Sequence, residues 1–517
     1  LISPASLFWT ITVSIIVIFP IFITSLWNTI RKPESVRFSY HLKNSLRDVG
    51  DITAKTLFTL VCLPFEAFAN GKAILRTLWR MLITRRKLLE WNPSSHPSNT
   101  NPDSLFASYS AMWVEPVLSV ILCVFLSLYF PARLLIAGPI LLLWFVAPLV
   151  TWFTSKPLKK QAARLSVEQS RLLHKLARKT WSYFEHFVAD NDNWLPPDNY
   201  QEKPEEQLAH RTSPTNIGLS LLANLNAADF GYITISQLLE RTKNTLSTMQ
   251  KMEQFRGHFY NWYDTQSLKP LAPKYVSTVD SGNLAGHLFV LRQGLLAVPD
   301  RPIQTRQLLK GLTDTLHILE DTCNETELKI LEPFAATLER FSNDEAHTQH
   351  GMKKYIDILS NHFSAVSEKL NNDPASEAYR WKQLLWEQLT HISDHSLIFE
   401  PWRLAENAPP RFTALASLNP GSTLNELLKA AAELQTGAAE RLKESNTEDE
   451  NNWLNALQTA LAKSVNTARK LILTSEILAQ QCYDLADMEW DFLYDKNRHL
   501  FTIGYNVQEH QADVSYY

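Results

Sequence analysis

Apolar residues fall into two regimes along the chain. Up to residue 155 they form long runs; beyond it they recur at helical spacing among charged residues. Leu7 to Leu26 is almost uninterruptedly apolar, about the twenty residues a bilayer core requires, and its Pro20 is a kink that membrane helices tolerate. Val114 to Phe130 and Leu134 to Phe153 are joined only by Pro131-Ala132-Arg133, so those two runs must form an antiparallel pair. A membrane region of about three transmembrane helices is therefore predicted over 1–155. Ile52 to Phe68 is apolar but carries Lys55, Pro64 and Glu66, which suits an interfacial or re-entrant helix, with a fourth span as the alternative. Lys72, Arg76 and Arg80 recur beside Leu75, Leu78, Trp79 and Leu82, the pattern of a basic amphipathic helix on an anionic leaflet or of a solvated helix. Asn92 to Asp103, rich in Pro, Ser and Asn, reads as a loop.

The second regime predicts packed helices. From Gln161 to Phe187, Leu165, Leu172, Leu176, Trp181 and Phe184 share one face. Asp190 to Gln201 cannot continue that helix because of Pro196 and Pro197. RTSPTN (211–216) leads into an apolar helix from Ile217 to about Ala228, and Thr234 with Gln237 forms a capping box for a more polar helix to about Glu253. STVDSGN (277–283) then leads into a second apolar helix, from Leu284 to about Ala297. Alternation of apolar and amphipathic helices is the pattern of an (α/α) toroid, in which the loops entering the inner helices share one cleft. The fold class predicted is all-α: transmembrane helices, the first part of a toroid over 156–300, a helical insertion or bundle over 301–480, and a further segment over 481–517. The insertion is broken at Asn371–Pro374, Pro401, Pro409–Pro410 and Asn419–Ser422. In the last segment, two β-prone runs around Asp495–Arg498 predict a small hairpin.

Charge orients this picture. Basic residues crowd the stretch from Arg31 to Lys87, and Lys156, Lys159, Lys160, Arg164 and Arg171 follow the last apolar run. The positive-inside rule places both on the cytoplasmic side, and the soluble part with them. Four cysteines, Cys62, Cys123, Cys323 and Cys482, lie far apart, with neither metal-ligand spacing nor a disulfide framework, as expected in a reducing compartment. Neither a phosphate-cradling glycine loop nor a basic aromatic surface for nucleic acid is expected, and no cofactor or metal is called for. The chain begins at Leu1 and ends at Tyr517 just after a strand-like run; both ends read as cut, so a fragment of a longer protein is expected.

The densest chemistry lies between Gly257 and His287. Tyr260, Trp262 and Tyr263 supply flat apolar faces beside Asn261, Asp264, Ser277, Asp280, Ser281 and Asn283. A pyranose has apolar C–H faces and a rim of hydroxyls, so this mixture suits a carbohydrate. Asp280 binds sugar hydroxyls, orients a water, or caps the following helix. Asp264 is a binding group or a turn residue, and Trp262 and Tyr263 stack on a sugar or belong to the core. Arg211 and Asn216 are further ligand candidates, with Thr215 or Asn216 as the alternative helix cap. Trp194, Asp198 and Asn199 are weaker candidates, and His258 and His287 read as structural. A glycosidase needs two flanking carboxylates, and no pair stands out, since Glu489, Asp491 and Asp495 read as a solvated turn.

Three strings together carry a family resemblance: RTSPTNIGLSLLANLNAADFGYI, RGHFYNWYDTQSLKPLAPKYVSTVDSGNLAGHL and DFLYDKNRHLFTIGYNV. In this order they resemble the bacterial cyclic β-1,2-glucan synthases, and TLWRMLITRRKLLEW with the apolar runs resembles the end of that family's membrane transferase region. The resemblance implies an inner-membrane, multi-pass enzyme that extends a β-1,2-glucan from UDP-glucose, with the protein as primer. It also implies a glucoamylase-like α/α toroid that closes the ring by retaining transglycosylation, and a phosphorylase-like domain. The chain would hold the last transmembrane helices and the front of the cyclising domain. Its partners would be the glucan, membrane lipids, and the upstream and downstream domains. No catalytic residue is assigned, because the reacting carboxylates are expected beyond Tyr517, and this fragment alone is expected to be inactive. Asp280 and its neighbours are carried over as glucan-binding candidates. A membrane-anchored β-glucan hydrolase and a non-catalytic glucan-binding membrane protein are the alternatives.

Overall fold

The structure, a computed structural model, describes residues 38–86, 104–156, 165–303, 305–343, 352–406, 408–416, 421–444 and 447–516, with scattered positions between 7 and 27. Most of the predicted span Leu7 to Leu26 and the loop Asn92 to Asp103 thus lie outside the described residues. The chain divides into two compact units, Leu1–Ala163 and Arg164–Tyr517.

In the first unit, α1 (Phe38–Val61) stops at Cys62 and α2 (Leu63–Trp79) resumes after a bend of 71°. Pro64 is the cause, because it has no N–H to give to Leu60 O, the bond an unbroken helix would make. Trp144 supplies the missing donor, its Nε1 reaching Leu60 O at 3.3 Å, and Glu115 Oε1 accepts the Phe65 N–H at 3.2 Å. The break falls inside the segment read as interfacial or re-entrant. A π-type turn (Arg80–Thr84) extends α2, so Lys72, Arg76 and Arg80 follow one another along it. Further on, α3 (Leu105–Ala111) bends by 71° into α4 (Val114–Tyr129), and a 3-10 turn over Pro131–Arg133 returns the chain into α5 (Leu134–Thr154). The expected antiparallel pair packs α4 on α5 through Leu126, Ala137 and Leu141, and Ser119 Oγ donates to Leu141 O at 2.6 Å. Among the described residues, one helix, Pro131–Thr154, is long and apolar enough to cross a membrane, or up to three if each bent pair is one span.

The second unit opens with α6 (Val167–Phe187), started by a capping box of Ser166 and Gln169. Two helices begin earlier than their apolar runs. Ser213 caps α7 (Pro214–Asp229), accepting the Asn216 N–H at 3.2 Å, so neither Thr215 nor Asn216 is the cap. The predicted box then starts α8 (Ile235–Met249): Thr234 N–H donates to Gln237 Oε1 at 3.0 Å and Gln237 N–H to Thr234 Oγ1 at 3.3 Å. Ser277 caps α9 (Thr278–Leu296), accepting the Asp280 N–H at 3.2 Å, so Asp280 is not the cap either. A serine hydroxyl and, in α7, Pro214 at the first helical position set these starts, not the first apolar residue.

Further helices are α10 (Thr305–Thr322), α11 (Glu325–Asn343), α12 (Met352–Ser367), α13 (Glu377–Ser396), α14 (Glu400–Glu406), α15 (Thr413–Ala416), α16 (Leu424–Arg441) and α17 (Glu448–Ala486). Two large apolar cores fill this unit, beside a smaller cluster of Trp181, Ala227, Tyr232, Ile233 and Leu238. One core joins α7, α8 and α9 to α16 and α17 through residues such as Leu221, Leu246, Leu288, Leu434 and Leu478. The other is formed by α10 to α13 around Leu312, Phe334, Phe363 and Leu385. Where α7 crosses α9, a Cβ on Gly218 would lie 2.3 Å from His287 Nδ1, so only glycine lets the helices approach this closely.

Short antiparallel strands trim the helices. β1 (Tyr200–Gln201) with β2 (Gln207–Leu208), and β4 (Gln254–Phe255) with β5 (His258–Phe259), are hairpins, while β3 (Arg211–Thr212) pairs with β6 (Tyr263–Asp264). The predicted C-terminal hairpin is β8 (Tyr494–Asp495) with β9 (Leu500–Phe501), its turn closed by Asp495 Oδ1 accepting the Asn497 and Arg498 N–H groups. A three-stranded sheet sets β10 (Gly504–Asn506) between β11 (Gln511–Ala512) and β7 (Tyr275–Ser277), the strand that leads into α9.

Candidate functional site

The first turns of α7 and α9 lie side by side. Thr215 Oγ1 donates to Asp280 Oδ1 at 2.5 Å, and Asn283 Nδ2 donates to the same Thr215 oxygen at 3.2 Å. RTSPTN and STVDSGN, the segments leading into the two apolar helices, therefore meet at one place. The polar surface continues from there. Asn216 Nδ2 donates to Asp198 Oδ1 at 3.3 Å, and Asp198 Oδ2 accepts from Arg211 Nη2 at 3.0 Å. The Arg211 guanidinium lies 5.0 Å from the centre of the Trp262 ring. The β3–β6 register, Arg211 opposite Asp264 and Thr212 opposite Tyr263, holds these groups together. The result is a band running from Trp262 through Arg211, Asp198 and Asn216 to Thr215, Asp280 and Asn283.

Other predicted residues stand behind this surface. Tyr263 is fully buried; its hydroxyl accepts the Tyr260 N–H at 2.8 Å and donates to Glu253 O at 2.6 Å, and burial pushes its pKa up. Tyr260 is also buried, with its hydroxyl donating to Glu253 Oε1 at 3.3 Å. Asn261 is tied through its N–H to Tyr275 O at 2.7 Å. Asp264 Oδ1 accepts from the N–H and hydroxyl of Ser267, both at 2.7 Å, and from Gln266 N–H, which holds its carboxyl below the usual aspartate pKa. That is the turn geometry weighed for it. Ser281 is buried against His258, with 2.9 Å between Oγ and Nδ1, while His258 Nε2–H donates to Glu489 O at 2.8 Å. A carbonyl only accepts, so the His258 proton is on Nε2, the Ser281 hydroxyl donates to Nδ1, and burial lowers the pKa. His258 has the structural role expected of it.

Asp198, ranked low as a loop residue, is the joint between Arg211 and Asn216. Asp192, His210 and Thr265 carry no sequence pattern that marks them as site residues. They form a hydrogen-bonded trio in which Asp192 Oδ1 accepts from His210 Nδ1 at 2.8 Å and from the Thr265 hydroxyl. Their positions are 192, 210 and 265, so no spacing rule joins them; the acidic DNDNW run was the one local signal. Each carboxylate along the band is engaged, Asp198 by Arg211 and Asn216, Asp264 by its turn, and Asp280 by Thr215. Such a surface is fitted to hold hydroxyl groups in place.

No family model matches the chain. The cyclic β-(1,2)-glucan synthase NdvB of Rhizobium meliloti (strain 1021) is 36% identical over 287 residues, which is 55% of this chain and 10% of that protein. The aligned stretch thus spans about a tenth of the relative's length. A crystal structure assigned as a glucoamylase of Bacteroides fragilis NCTC 9343 is similar over 27% of this chain and 32% of its own, at 20% identity and a TM-score of 0.22, too low to bear on the fold. Over more than half its length, the chain is a sequence relative of a cyclic β-(1,2)-glucan synthase, and the resemblance read from its motifs stands.

Proposed function

We propose that the second unit forms one wall of the glucan-binding cleft in a membrane-anchored enzyme that makes cyclic β-1,2-glucan from UDP-glucose, within the toroidal domain that closes the ring by transglycosylation. The observation that carries this reading is the junction of the two helix N-termini through Thr215, Asp280 and Asn283. It brings helix-start amides, a carboxylate and a carboxamide to one end of a band whose other end is the Trp262 ring. A glucose unit laid on Trp262 buries its C–H face against the indole, and the polar groups further along meet hydroxyls of the next units. The first unit supplies the anchor: α4 and α5 expose Leu128, Leu135, Leu142 and Phe153, apolar side chains suited to lipid. Basic residues flanking its helices support, by the positive-inside rule, a glucan-binding part on the cytoplasmic side of the inner membrane. The remaining activities, chain extension and trimming, belong to other domains of the same enzyme.

Titration calorimetry on the detergent-solubilised chain tests this. Linear β-1,2-gluco-oligosaccharides are expected to bind, and β-1,4-linked ones of equal length to bind at least about tenfold more weakly, the loss of one or two well-made contacts. Trp262→Ala and Asp280→Ala are each expected to weaken β-1,2-glucan binding about tenfold or more at unchanged melting temperature. Unchanged affinity with a lowered melting temperature would make both residues purely structural and end the proposal.

A further inference from the structure

Beside the band, the β1–β2 hairpin and β3 border a cavity of about 490 Å³ lined by Asn199, Gln201, Gln207, His210, Arg211 and Leu271, among others. Small-ligand clefts run to about 300–1,000 Å³. Apart from Arg211 and Asp264, the lining is amide, imidazole and aliphatic. Its charged groups are engaged, Arg211 by Asp198 at 3.0 Å and the bordering Asp264 by its own turn. Spaced hydroxyls with C–H faces fit such a surface better than an ionic ligand does.

His210 marks the cavity as built. Asp192, 4% exposed, accepts from His210 Nδ1, and Thr265, which also donates its hydroxyl to Asp192, gives its N–H to His210 O at 3.1 Å. With the Nδ1 proton committed to Asp192, the neutral ring keeps its lone pair on Nε2. The loop that carries Asp192 is itself held in an uncommon shape. Asn193 and Trp194 both have left-handed backbone, φ 52° and 60°, a conformation Asn tolerates and a bulky Trp rarely adopts. Asn193 Nδ2 donates to Thr265 O at 2.8 Å, and the hydroxyls of Thr248 and Thr245 donate to Asn193 O at 2.7 Å and Trp194 O at 2.9 Å. Four residues are thereby used to hold one carboxylate under one imidazole.

We propose that this cavity is a second saccharide subsite, joined to the band at Arg211, in which His210 Nε2 accepts a bond from a sugar hydroxyl and the Gln201 and Gln207 amides hold its neighbours. Asp192 acts through His210 as a positioning residue. The inference rests on the glucan reading above. Calorimetric titration of the 517-residue chain with linear β-1,2-gluco-oligosaccharides separates the two. His210→Ala is expected to weaken binding about tenfold with some loss of stability, because buried Asp192 loses a donor, and Gln207→Ala to weaken it about threefold at wild-type melting temperature. Both side chains are exposed at the cavity, so neither change removes core packing. If the wild type binds and both variants match it, the subsite is overturned while the glucan reading survives. If the wild type binds no β-1,2-glucan, the glucan reading fails and the subsite with it.

Discussion

His258 joins the aromatic stretch to the segment after α17, and its protonation state is part of that joint. Burial lowers its pKa below the ordinary 6.5, so the neutral ring is favoured in the folded chain. A depressed histidine contributes stability that is present above its unfolded pKa and lost as pH falls through that value. Unfolding free energy is therefore expected to decline from pH 7.5 to pH 5, and His258→Ala to show a shallower decline in urea melts at the same pH values. An unchanged slope would assign the acid sensitivity elsewhere, for instance to His317 or His395, each lowered to about 4 mainly by burial. At this scale the sequence was readable where a side chain acts on near neighbours. Asp264 closes its own turn and Thr234 pairs with Gln237, both within three residues. Asp198 and Asp192 were not readable in this way, since their partners come from elements that only the fold brings near.

Helix starts show why the apolar pattern located each element and yet misplaced its polar end. Hydrophobic spacing reports the face that packs, whereas Ser213 and Ser277 decide where the backbone first turns. The difference matters for function, because the first turns of α7 and α9 are the polar ones that meet. Their separation depends on Gly218. Gly218→Ala is expected to cost about 1–3 kcal/mol, the usual effect of forcing a methyl into a packed contact. It should also weaken glucan binding by parting Thr215 from Asp280, which melting curves and calorimetry would show together. Equal stability with full binding would mean that His287 swings aside freely. In the first unit, the Pro64 break is mended by Trp144, and Trp144→Phe is expected to cost about 1 kcal/mol for the unanswered Leu60 carbonyl. Thermal melting in detergent measures that loss, and no change would mean another donor takes over.

The whole molecule divides into two compact units, one ending at Ala163 and the other beginning at Arg164. The distribution of the second unit's interior was less legible: helices on both sides of residue 301 contribute to one core, and the four from α10 to α13 to another. Amphipathic spacing gives each helix an inner face but not the identity of the neighbour that covers it. The anchoring role predicts that the chain sediments with membranes and resists alkaline carbonate washing; release by carbonate would reduce it to a peripheral association. Long-range strand pairing bears on timing as well as shape. β7 gains its partner only from β10, with Gly504 opposite Ser277, and the Thr278 N–H at the start of α9 is taken by Ile503 O at 3.0 Å. On the ribosome, α7 and α9 can emerge and pack long before residues 503–506 exist. The serine that caps α9 would wait, with its strand unpaired, through the synthesis of more than two hundred residues. Until residues 503–506 arrive, the β7 edge and the Thr278 N–H at the start of α9 lack the strand that answers them.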